Sequence, residues 1–447
     1  MTNTDTICAP ATAPGGAIGI IRISGTQTFE ILSWIFSKDL TTAKPNTIHY
    51  GHIADIDEVL VSVFRAPHSY TGEDSAEISC HGSSYILNKV LELLVNNGCR
   101  MARPGEYTMR AYLNGKLDLS QAEAVADLIA STNKATHDLA MSQLRGHFSS
   151  ELAKLREQLL KLTSLLELEL DFSDHEDLEF ADRTELLHLA QAIESHIARL
   201  EKSFEAGQAI KQGIPVAIVG KTNVGKSTLL NQLVDEERAI VSDIHGTTRD
   251  TIEETMDING ITFRFIDTAG LRNTQDKVEQ IGIERTIQKI QQARIIIWLL
   301  DTSPSRSEQE EMDKLLKGKH YLCVHNKADQ VDMKTFVPYT EPLSLISAKT
   351  GEGIPNLKQH IFEKAQQAGL TTNANDIIVT NARHYESLTL AHESLLRVIE
   401  GLHQQLSGDL LSEDLRLTLS QLADITGGQI TPQETLNNIF KNFCVGK

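Results

Sequence analysis

The sequence lacks the features that mark membrane, secreted and fibrous proteins. Its longest apolar run, Ile295 to Leu300, is far shorter than the roughly 20 residues that a membrane-spanning helix needs. Its 28 glycines and 11 prolines are too few for a fibrous or low-complexity chain. Residues 1–10 contain no basic cluster ahead of an apolar core. We therefore expect no signal peptide and no membrane association.

Cysteines are scarce and scattered. The chain has five of them and no Cys-x-x-Cys pair. An odd number of dispersed thiols argues against both a disulfide framework and a zinc site. We therefore expect reduced cysteines and a cytoplasmic protein.

Positive charge is also in deficit, with 42 Lys and Arg against 60 Asp and Glu, a net charge of −18. Such a chain is not expected to coat nucleic acid by broad phosphate neutralisation, although a local basic patch stays possible. Half of the excess lies in residues 119–210, which carry 8 basic and 17 acidic residues. That segment contains an acidic run, residues 167–179, which we interpret as a solvated surface turn.

A chain of 447 residues is expected to form two to four domains. Short β-rich pieces at residues 17–23 and 59–64, with an apolar helix at about residues 84–97, predict an α+β domain in residues 1–118.

Helices are predicted on both sides of the next domain. Residues 121–170 contain no proline and one glycine, and apolar residues recur there at intervals of three and four. The same periodicity returns in residues 376–447. We therefore predict an all-α helical domain in two parts, residues 119–210 and 376–447, with an α/β domain inserted at residues 211–375.

A phosphate-binding motif begins the inserted domain. An apolar strand at residues 214–219 runs into Gly220-Lys221-Thr222-Asn223-Val224-Gly225-Lys226-Ser227, and Thr228 continues into a helix. The backbone N–H groups of such a P-loop surround phosphates. Lys226 is expected to reach the β- and γ-phosphates, and the Ser227 hydroxyl to bind Mg²⁺.

Three further motifs each follow a predicted strand. The first, Asp267-Thr268-Ala269-Gly270, would hold Mg²⁺ through a water on Asp267 and contact the γ-phosphate at Gly270. The second, Asn326-Lys327-Ala328-Asp329, would bind the guanine N1 and exocyclic amine at Asp329. The third, Ser347-Ala348-Lys349, would form another wall of the base pocket. All four motifs in this order predict a P-loop GTPase, or G domain.

The residue that orients the attacking water in Ras-type GTPases, a glutamine after Asp-x-x-Gly, is replaced by Leu271. Two substitutes stay open at this point. One is Glu279, and the other is a cation in place of an arginine finger. The side-chain oxygen of Asn223 could bind such a cation, and backbone carbonyls of Ser242-Asp243-Ile244-His245-Gly246 could complete its shell.

The switch I loop is Gly246-Thr247-Thr248-Arg249-Asp250. We expect Thr248 to supply the second Mg²⁺ hydroxyl. His245 is expected to be a solvated loop residue, with a catalytic role as the lesser alternative.

Over its whole length the chain resembles the MnmE (TrmE) family of tRNA-modification GTPases, within the TrmE-Era-EngA-YihA-Septin-like superfamily. Besides the G-domain motifs, the resemblance is carried by residues 21–25, 103–107, 113–119, 278–285 and 443–447. It departs from the family at Thr222, where proline is usual, and at Val445, where isoleucine is common.

This resemblance implies further site residues. The N-terminal domain should form a homodimer and bind a 5-formyl-tetrahydrofolate-type one-carbon donor through Arg22, Glu77, Lys116 and Lys447. The G domains should pair across the dimer with K⁺ bound by Asn223, Ser242, Ile244 and Thr247. Glu279 should act on the attacking water, beside Lys226 and Thr248. Cys444 is interpreted either as a reactive thiol or as a buried packing residue.

The function implied is a potassium-activated GTPase that hydrolyses GTP to GDP and phosphate. With an FAD-dependent partner, MnmG (GidA), in a heterotetramer, it would modify C5 of the wobble uridine, U34, of certain tRNAs to a carboxymethylaminomethyl-type group. Two alternatives stay open. An Era/Der-like ribosome-assembly GTPase would need a basic RNA-binding domain that the acidic flanking segments do not supply. A stand-alone folate-dependent transferase with a regulatory GTPase would need no partner.

Overall fold

The computed structural model describes residues 5–171, 183–235, 254–266, 287–330, 343–371 and 377–428, and residues 436, 439–441, 443, 444 and 446 near the end of the chain. The chain forms two units. The first comprises residues 1–130, 140–195 and 387–447, and the second comprises residues 131–139 and 196–386. The chain therefore enters the second unit twice.

A mixed sheet with two helices begins the first unit. Its elements are β1 (Ile7–Pro10), β2 (Ile18–Ser24), α1 (Thr28–Ile35), β3 (Thr47–Ile53), β4 (Asp57–Phe64), β5 (Ser75–His81), α2 (Ser84–Asn96) and β6 (Arg100–Met101). The strand order is β3-β4-β5-β2-β1-β6, and only the β1–β6 pair is parallel.

The alternation of side chains in β4 shows why this sheet forms. Val59, Val61 and Val63 are buried in one core with residues of α1 and α2, while Leu60 on the other face is exposed. The predicted α+β domain is confirmed, since β2, β4 and α2 match the predicted pieces closely.

Five helices follow in chain order: α3 (Glu106–Leu113), α4 (Leu119–Ala130), α5 (Lys134–Leu144), α6 (His147–Asp171) and α7 (Arg183–Gln212). The helical prediction for residues 121–170 holds, but that stretch is broken twice. Asn133 caps α5, since its Oδ1 accepts from the Thr136 N–H at 2.8 Å. Gly146 has φ +82°, which ends helical geometry before α6.

The second unit contains a doubly covered sheet. Its elements are β7 (Ile214–Val219), α8 (Lys226–Asp235), β8 (Glu254–Ile258), β9 (Ile261–Phe265), β10 (Ile295–Leu300), α9 (Arg306–Leu316), β11 (His320–His325), β12 (Leu343–Leu345) and α10 (Ile354–Gln367). The order is β12-β11-β10-β7-β9-β8, parallel except for the edge strand β8. Strand β10 is buried at all six positions, as a central parallel strand should be.

The last two helices are α11 (Ala382–His403), which belongs to the first unit from residue 387 onward, and α12 (Gly408–Thr426). Helix α6 packs against α12 through the predicted apolar stripe. Its buried members are Leu152, Leu155, Leu159, Leu162 and Leu166. The predicted fold class, with an α+β sheet domain, a helical domain and an inserted α/β P-loop domain, is therefore confirmed. Among the described helices none is both long and apolar enough to cross a bilayer.

A buried charge network joins α3 to the sheet of the first unit. Glu106 and Arg110 are 1% and 2% exposed and lie 3.2 Å apart. Arg100 donates to both oxygens of Glu106, at 2.6 and 3.1 Å. Asp5 and Glu73 accept from Arg110 at 2.7 and 3.1 Å. Burial alone would raise the pKa of Glu106, but the hydrogen bonds from Arg100 and from the Arg103 N–H bring it below its ordinary value.

Replacing Glu106 by glutamine should therefore destabilise the first unit by about 3 kcal/mol at pH 7, because two arginines lose their shared anion in a dry site. A carboxylate with a lowered folded-state pKa stabilises the fold above its unfolded value of 4.5, and that contribution is lost as the pH falls through the folded value. The difference between Glu106→Gln and the parent should therefore shrink on acidification. Scanning calorimetry at pH 7 and pH 4 measures both effects.

Glu92→Gln is the matched control, since Glu92 pairs with Lys89 on the surface. It should cost less than about 1 kcal/mol. Equal losses in the two variants would show that the buried network does not stabilise the unit.

Candidate functional site

The predicted P-loop joins β7 to α8 at the carboxyl end of a central strand. Gly220 and Gly225 have φ values of +156° and +101°, which side chains rarely adopt. A Cβ on Gly220 would also meet the carbonyl oxygen of Leu299, and one on Gly225 would meet the side-chain amide of Asn326. The loop needs glycine at both positions because neighbouring strand ends lie directly against it.

Lys226, the first residue of α8, folds its ammonium back over the loop. Its Nζ donates to the carbonyl oxygens of Gly220 at 2.8 Å and Lys221 at 2.5 Å. Burial, and then the positive charge of Lys289, lower the pKa of Lys226 below 10.5. A phosphate would offset both effects by supplying negative charge, so Lys226 is well placed to exchange these carbonyls for phosphate oxygens.

Asn326 connects three of the predicted motifs. Its side chain is buried, its Nδ2 donates to the Val224 carbonyl at 2.8 Å, and its Oδ1 accepts from the Ala348 N–H at 2.9 Å. The Asn326 N–H donates to the carbonyl of Leu300 at 2.7 Å. Asn326 therefore fixes the P-loop and the loop of residues 347–349 with its side chain and the end of β10 with its backbone N–H.

Asp329 presents its carboxylate at the same edge of the sheet. Its Oδ1 accepts from the Ser347 hydroxyl at 2.6 Å, while the residue itself stays exposed. The neighbouring Lys327 has φ +64° and its Nζ lies 2.6 Å from Asp301 Oδ2. Ser347 thus orients a carboxylate that still has acceptor capacity for two N–H donors.

One contact of the P-loop was not anticipated from the sequence. The Lys221 ammonium pairs with Glu308 at the start of α9. Glu308 also accepts from the Ser305 N–H at 2.9 Å in a capping box, and its pKa is lowered to about 2, first by the hydrogen bond from Lys221. The Ser-x-x-Glu spacing of residues 305–308 signals this cap in the sequence, but nothing there signals its pairing with the P-loop.

The other predicted G-domain residues lie outside the described part of the chain, and their roles stay predictions. They are Ser242, Asp243, Ile244, His245, Gly246, Thr247, Thr248, Asp267, Thr268, Ala269, Gly270 and Glu279. Of the predicted Mg²⁺ ligands only Ser227 is described, in the first turn of α8, and of the K⁺ ligands only Asn223, which has φ +63° in the loop. In the described ranges no cluster of three His, Cys, Asp or Glu side chains could hold a metal ion.

Two family models match the chain. One, described as the MnmE helical domain, matches residues 119–444, and the other, described as the GTP-binding protein TrmE N-terminus, matches residues 6–116. A curated protein of Phocaeicola vulgatus named tRNA modification GTPase MnmE is 54% identical, and the match covers 100% of both chains. The chain belongs to the MnmE family. A Flavobacterium johnsoniae protein of the same name is 52% identical, again with 100% of both chains covered.

Family membership confirms the resemblance seen in the sequence. Among solved structures, the G domain of the T. maritima FeoB iron transporter matches 34% of this chain and 99% of its own length, at 25% identity and a TM-score of 0.26.

Two of the residues that the MnmE resemblance assigns to folate are direct neighbours. Arg22 on β2 is paired in register with Glu77 on β5, and its Nε and Nη2 lie 2.9 and 2.7 Å from Glu77 Oε1. The Gly446 carbonyl accepts from Arg22 Nη1 at 3.0 Å. The C-terminal motif therefore reaches this pair, although Lys447 itself lies outside the described residues.

Two tyrosines that sequence reasoning missed flank Arg22. Its guanidinium carbon lies 5.8 Å from the ring centroid of Tyr70 and 5.7 Å from that of Tyr107. Lys116 lies beside the turn that carries Tyr70, since its Nζ donates to the Pro67 carbonyl at 3.0 Å. A guanidinium, a carboxylate and an ammonium near aromatic rings suit a ligand with both carboxylates and a flat ring system. No spacing in the sequence could have identified the tyrosines, because their positions depend on the fold.

Cys444 is exposed, while Cys8, Cys80, Cys99 and Cys323 are buried. The interpretation of Cys444 as a buried packing residue is therefore wrong. Its role as a reactive thiol stays a prediction.

Proposed function

We propose that this tRNA modification GTPase hydrolyses GTP to GDP and phosphate in the domain of residues 211–375. The observation that carries the proposal is the Asp329 carboxylate, oriented by Ser347 beside a P-loop that Asn326 fixes in place. A carboxylate there accepts from the N1–H and the exocyclic amine of guanine. Adenine offers neither donor at those positions, so the site should select guanine.

The P-loop residues have distinct proposed tasks. Lys226 donates to β- and γ-phosphate oxygens, and the loop N–H groups from Asn223 onward contact the same groups. The hydroxyls of Ser227 and Thr248, with Asp267 through a water, would hold Mg²⁺. When bound, that ion neutralises charge that develops on the phosphates.

Water activation needs a group other than Leu271, whose side chain has no polar atom. We assign this role to Glu279, which would orient the attacking water and accept its proton. Asn223 would bind K⁺ with its side-chain oxygen, together with Ser242, Ile244 and Thr247. This cation site would supply the positive charge that an arginine finger supplies elsewhere.

The wider reaction assigns a task to the other domains. Residues 1–118 would form the homodimer and hold a 5-formyl-tetrahydrofolate-type donor through Arg22, Glu77, Lys116 and Lys447. In the cytoplasm, with the FAD-dependent MnmG (GidA) in a heterotetramer, the protein would modify C5 of the wobble uridine of certain tRNAs. The convergence of Arg22, Glu77 and the C-terminal Gly446 supports the donor site alone among these tasks.

The cation dependence of hydrolysis tests the proposal. Turnover of GTP should be roughly tenfold or more faster in K⁺ than in Na⁺, equivalent to about 1.4 kcal/mol of transition-state stabilisation. The physical reason is that Na⁺ is smaller than the ring of side-chain and carbonyl oxygens proposed for K⁺. The measurement is phosphate release from the full chain in matched chloride salts, with and without the flavoprotein.

Glu279→Ala is the companion variant in the same assay. It should lose turnover in both salts and keep nucleotide binding, because Glu279 is assigned to the water and not to the phosphates. Equal rates in K⁺ and Na⁺ would refute the cation site, and full turnover by Glu279→Ala would refute the assignment of the base.

A further inference from the structure

The first passage of the chain through the second unit, residues 131–139, lies against the turn between β8 and β9. We call residues 131–139 the clip segment. The Ala135 N–H donates to the Gly260 carbonyl at 3.0 Å, and Asn133 Nδ2 donates to Thr262 Oγ1 at 2.7 Å. Ala135 also packs against the main apolar core of the second unit. The contact therefore combines a backbone bond, a side-chain bond and apolar packing.

The side-chain amide of Asn133 both caps helix α5 and bonds to the β8–β9 hairpin. Asn133 Oδ1 caps the helix through the Thr136 N–H, which leaves Nδ2 for Thr262. The turn fits this contact closely, since Gly260 has φ +81° and a Cβ there would lie 2.8 Å from Lys134 Cβ. Any displacement of the hairpin therefore acts directly on the first residue of α5.

The hairpin adjoins the nucleotide site through its strands. β9 pairs in parallel with β7, the strand that leads into the P-loop. In the sequence, β8 begins four residues after Asp250 of the predicted switch I loop, and β9 ends two residues before Asp267. The clip segment thus contacts the one hairpin whose strands lie between both predicted phosphate-sensing motifs.

The C-terminal end of α5 is hydrogen-bonded within the first unit. Gln143 is buried, and its Nε2 donates to the Ser120 carbonyl at 2.9 Å. Helix α5 has 11 residues, which corresponds to roughly 16 Å of continuous hydrogen-bonded backbone. A hydrogen-bonded helix is one of the rigid elements that carry coupling between distant positions.

We propose that the clip segment couples the nucleotide state of the GTP site to the helical part of the protein, and that Asn133 is the positioning residue of this coupling. The inference rests on the proposed function, since it takes the site to bind GTP. Neither Asn133 nor Thr262 contacts nucleotide in this scheme. Each changes only how strongly the hairpin and α5 move together.

Hydrogen–deuterium exchange of the full chain tests the coupling. Peptides covering residues 131–146 are compared with Mg²⁺ and K⁺ in the presence of GDP or of the non-hydrolysable analogue guanosine 5′-[β,γ-imido]triphosphate. In the parent protein the two nucleotides should give exchange rates that differ roughly two- to tenfold, the range that one hydrogen bond accounts for.

Two variants remove the bond between Asn133 and Thr262 without removing the helix cap or the strand. Thr262→Val keeps the shape and β-branching of the side chain and deletes the acceptor. Asn133→Ser keeps an N-cap oxygen but is too short to reach Thr262. Each should reduce the nucleotide-dependent difference in residues 131–146 by roughly half or more, since the bond from the Ala135 N–H to Gly260 remains, while basal GTP turnover stays within about twofold. The double variant should behave as either single one, because both remove the same bond.

Thr255→Val is the matched control, since Thr255 is an exposed threonine of β8 on the same hairpin. It should keep the full nucleotide-dependent difference. If the parent binds and turns over GTP but shows identical exchange with both nucleotides, the coupling is refuted while the proposed function stands. A difference as large as the parent's in both Thr262→Val and Asn133→Ser would refute the role of Asn133. A parent that binds no guanine nucleotide would overturn both proposals.

Discussion

Replacing Asp329 by asparagine should change the base preference of the site from guanine to xanthine. The carboxylate accepts two N–H donors of guanine, whereas the asparagine amide turns an NH₂ group towards one of them. One charge-assisted hydrogen bond, which contributes about 1.5–3 kcal/mol, is lost and the other becomes a weaker neutral bond, so GTP affinity should fall roughly 10²–10³-fold. Xanthine carries a carbonyl at C2, which can accept from the new amide.

The surroundings of Asp329 indicate that asparagine would change the base contact without disturbing the fold. Ser347 Oγ lies 2.6 Å from Asp329 Oδ1, and an asparagine oxygen can accept the same hydroxyl proton. Asp329 is exposed, so the change buries no new polar group. The fold should therefore be preserved while the base contact changes.

Titration with fluorescent GTP and XTP measures the preference. Asp313→Asn provides the control, since Asp313 is an exposed aspartate on α9 of the same unit. It should bind both nucleotides as the parent does. If Asp329→Asn kept the parent's ratio of GTP affinity to XTP affinity, the Asp329 carboxylate would not determine which base binds.

The motifs of the second unit could be predicted because parallel strands share one carboxyl edge. β7, β10, β11 and β12 each end beside a predicted loop or its neighbour, so linear order in the sequence becomes proximity in space. The alternation in β4 was equally informative, since Val59, Val61 and Val63 share one buried face. In both cases a local pattern is sufficient to determine where side chains lie.

Contacts between distant parts of the chain could not be predicted. The Lys221–Glu308 pair joins residues that no periodicity relates, and only the family resemblance, which assigns Arg22 and Lys447 to one ligand, pointed to the bond from Arg22 to Gly446. The break before α5 was missed for a different reason. Asparagine is a favoured N-cap residue, so Asn133 carries a local signal that the apolar periodicity of residues 121–170 outweighed, whereas its bond to Thr262 follows from no local pattern.

The Asn326 amide shows how such long-range contacts make the predicted motifs work as one site. Val224, Leu300 and Ala348 belong to three separate loops or strand ends, and all bond to this residue. The P-loop is therefore fixed before nucleotide arrives, so binding GTP does not require ordering of these segments. This preorganisation also fixes the position from which Lys226 must act.

Lys226→Ala should weaken GTP binding at pH 7 by roughly 10²–10⁴, because it removes two charge-assisted bonds to the phosphates. The phosphates bind the ammonium form of Lys226, and its pKa lies below 10.5 through burial and the charge of Lys289. The ratio of the two dissociation constants, variant over parent, should therefore shrink as the pH rises towards 10, since the parent lysine loses its proton. Taking the ratio cancels any titration of the base, which both proteins share.

Lys221→Ala is the control, because the Lys221 ammonium pairs with Glu308 and only the Lys221 backbone carbonyl faces Lys226. Comparable losses in the two variants, or a ratio that does not vary with pH, would show that Lys226 is not the phosphate-binding cation.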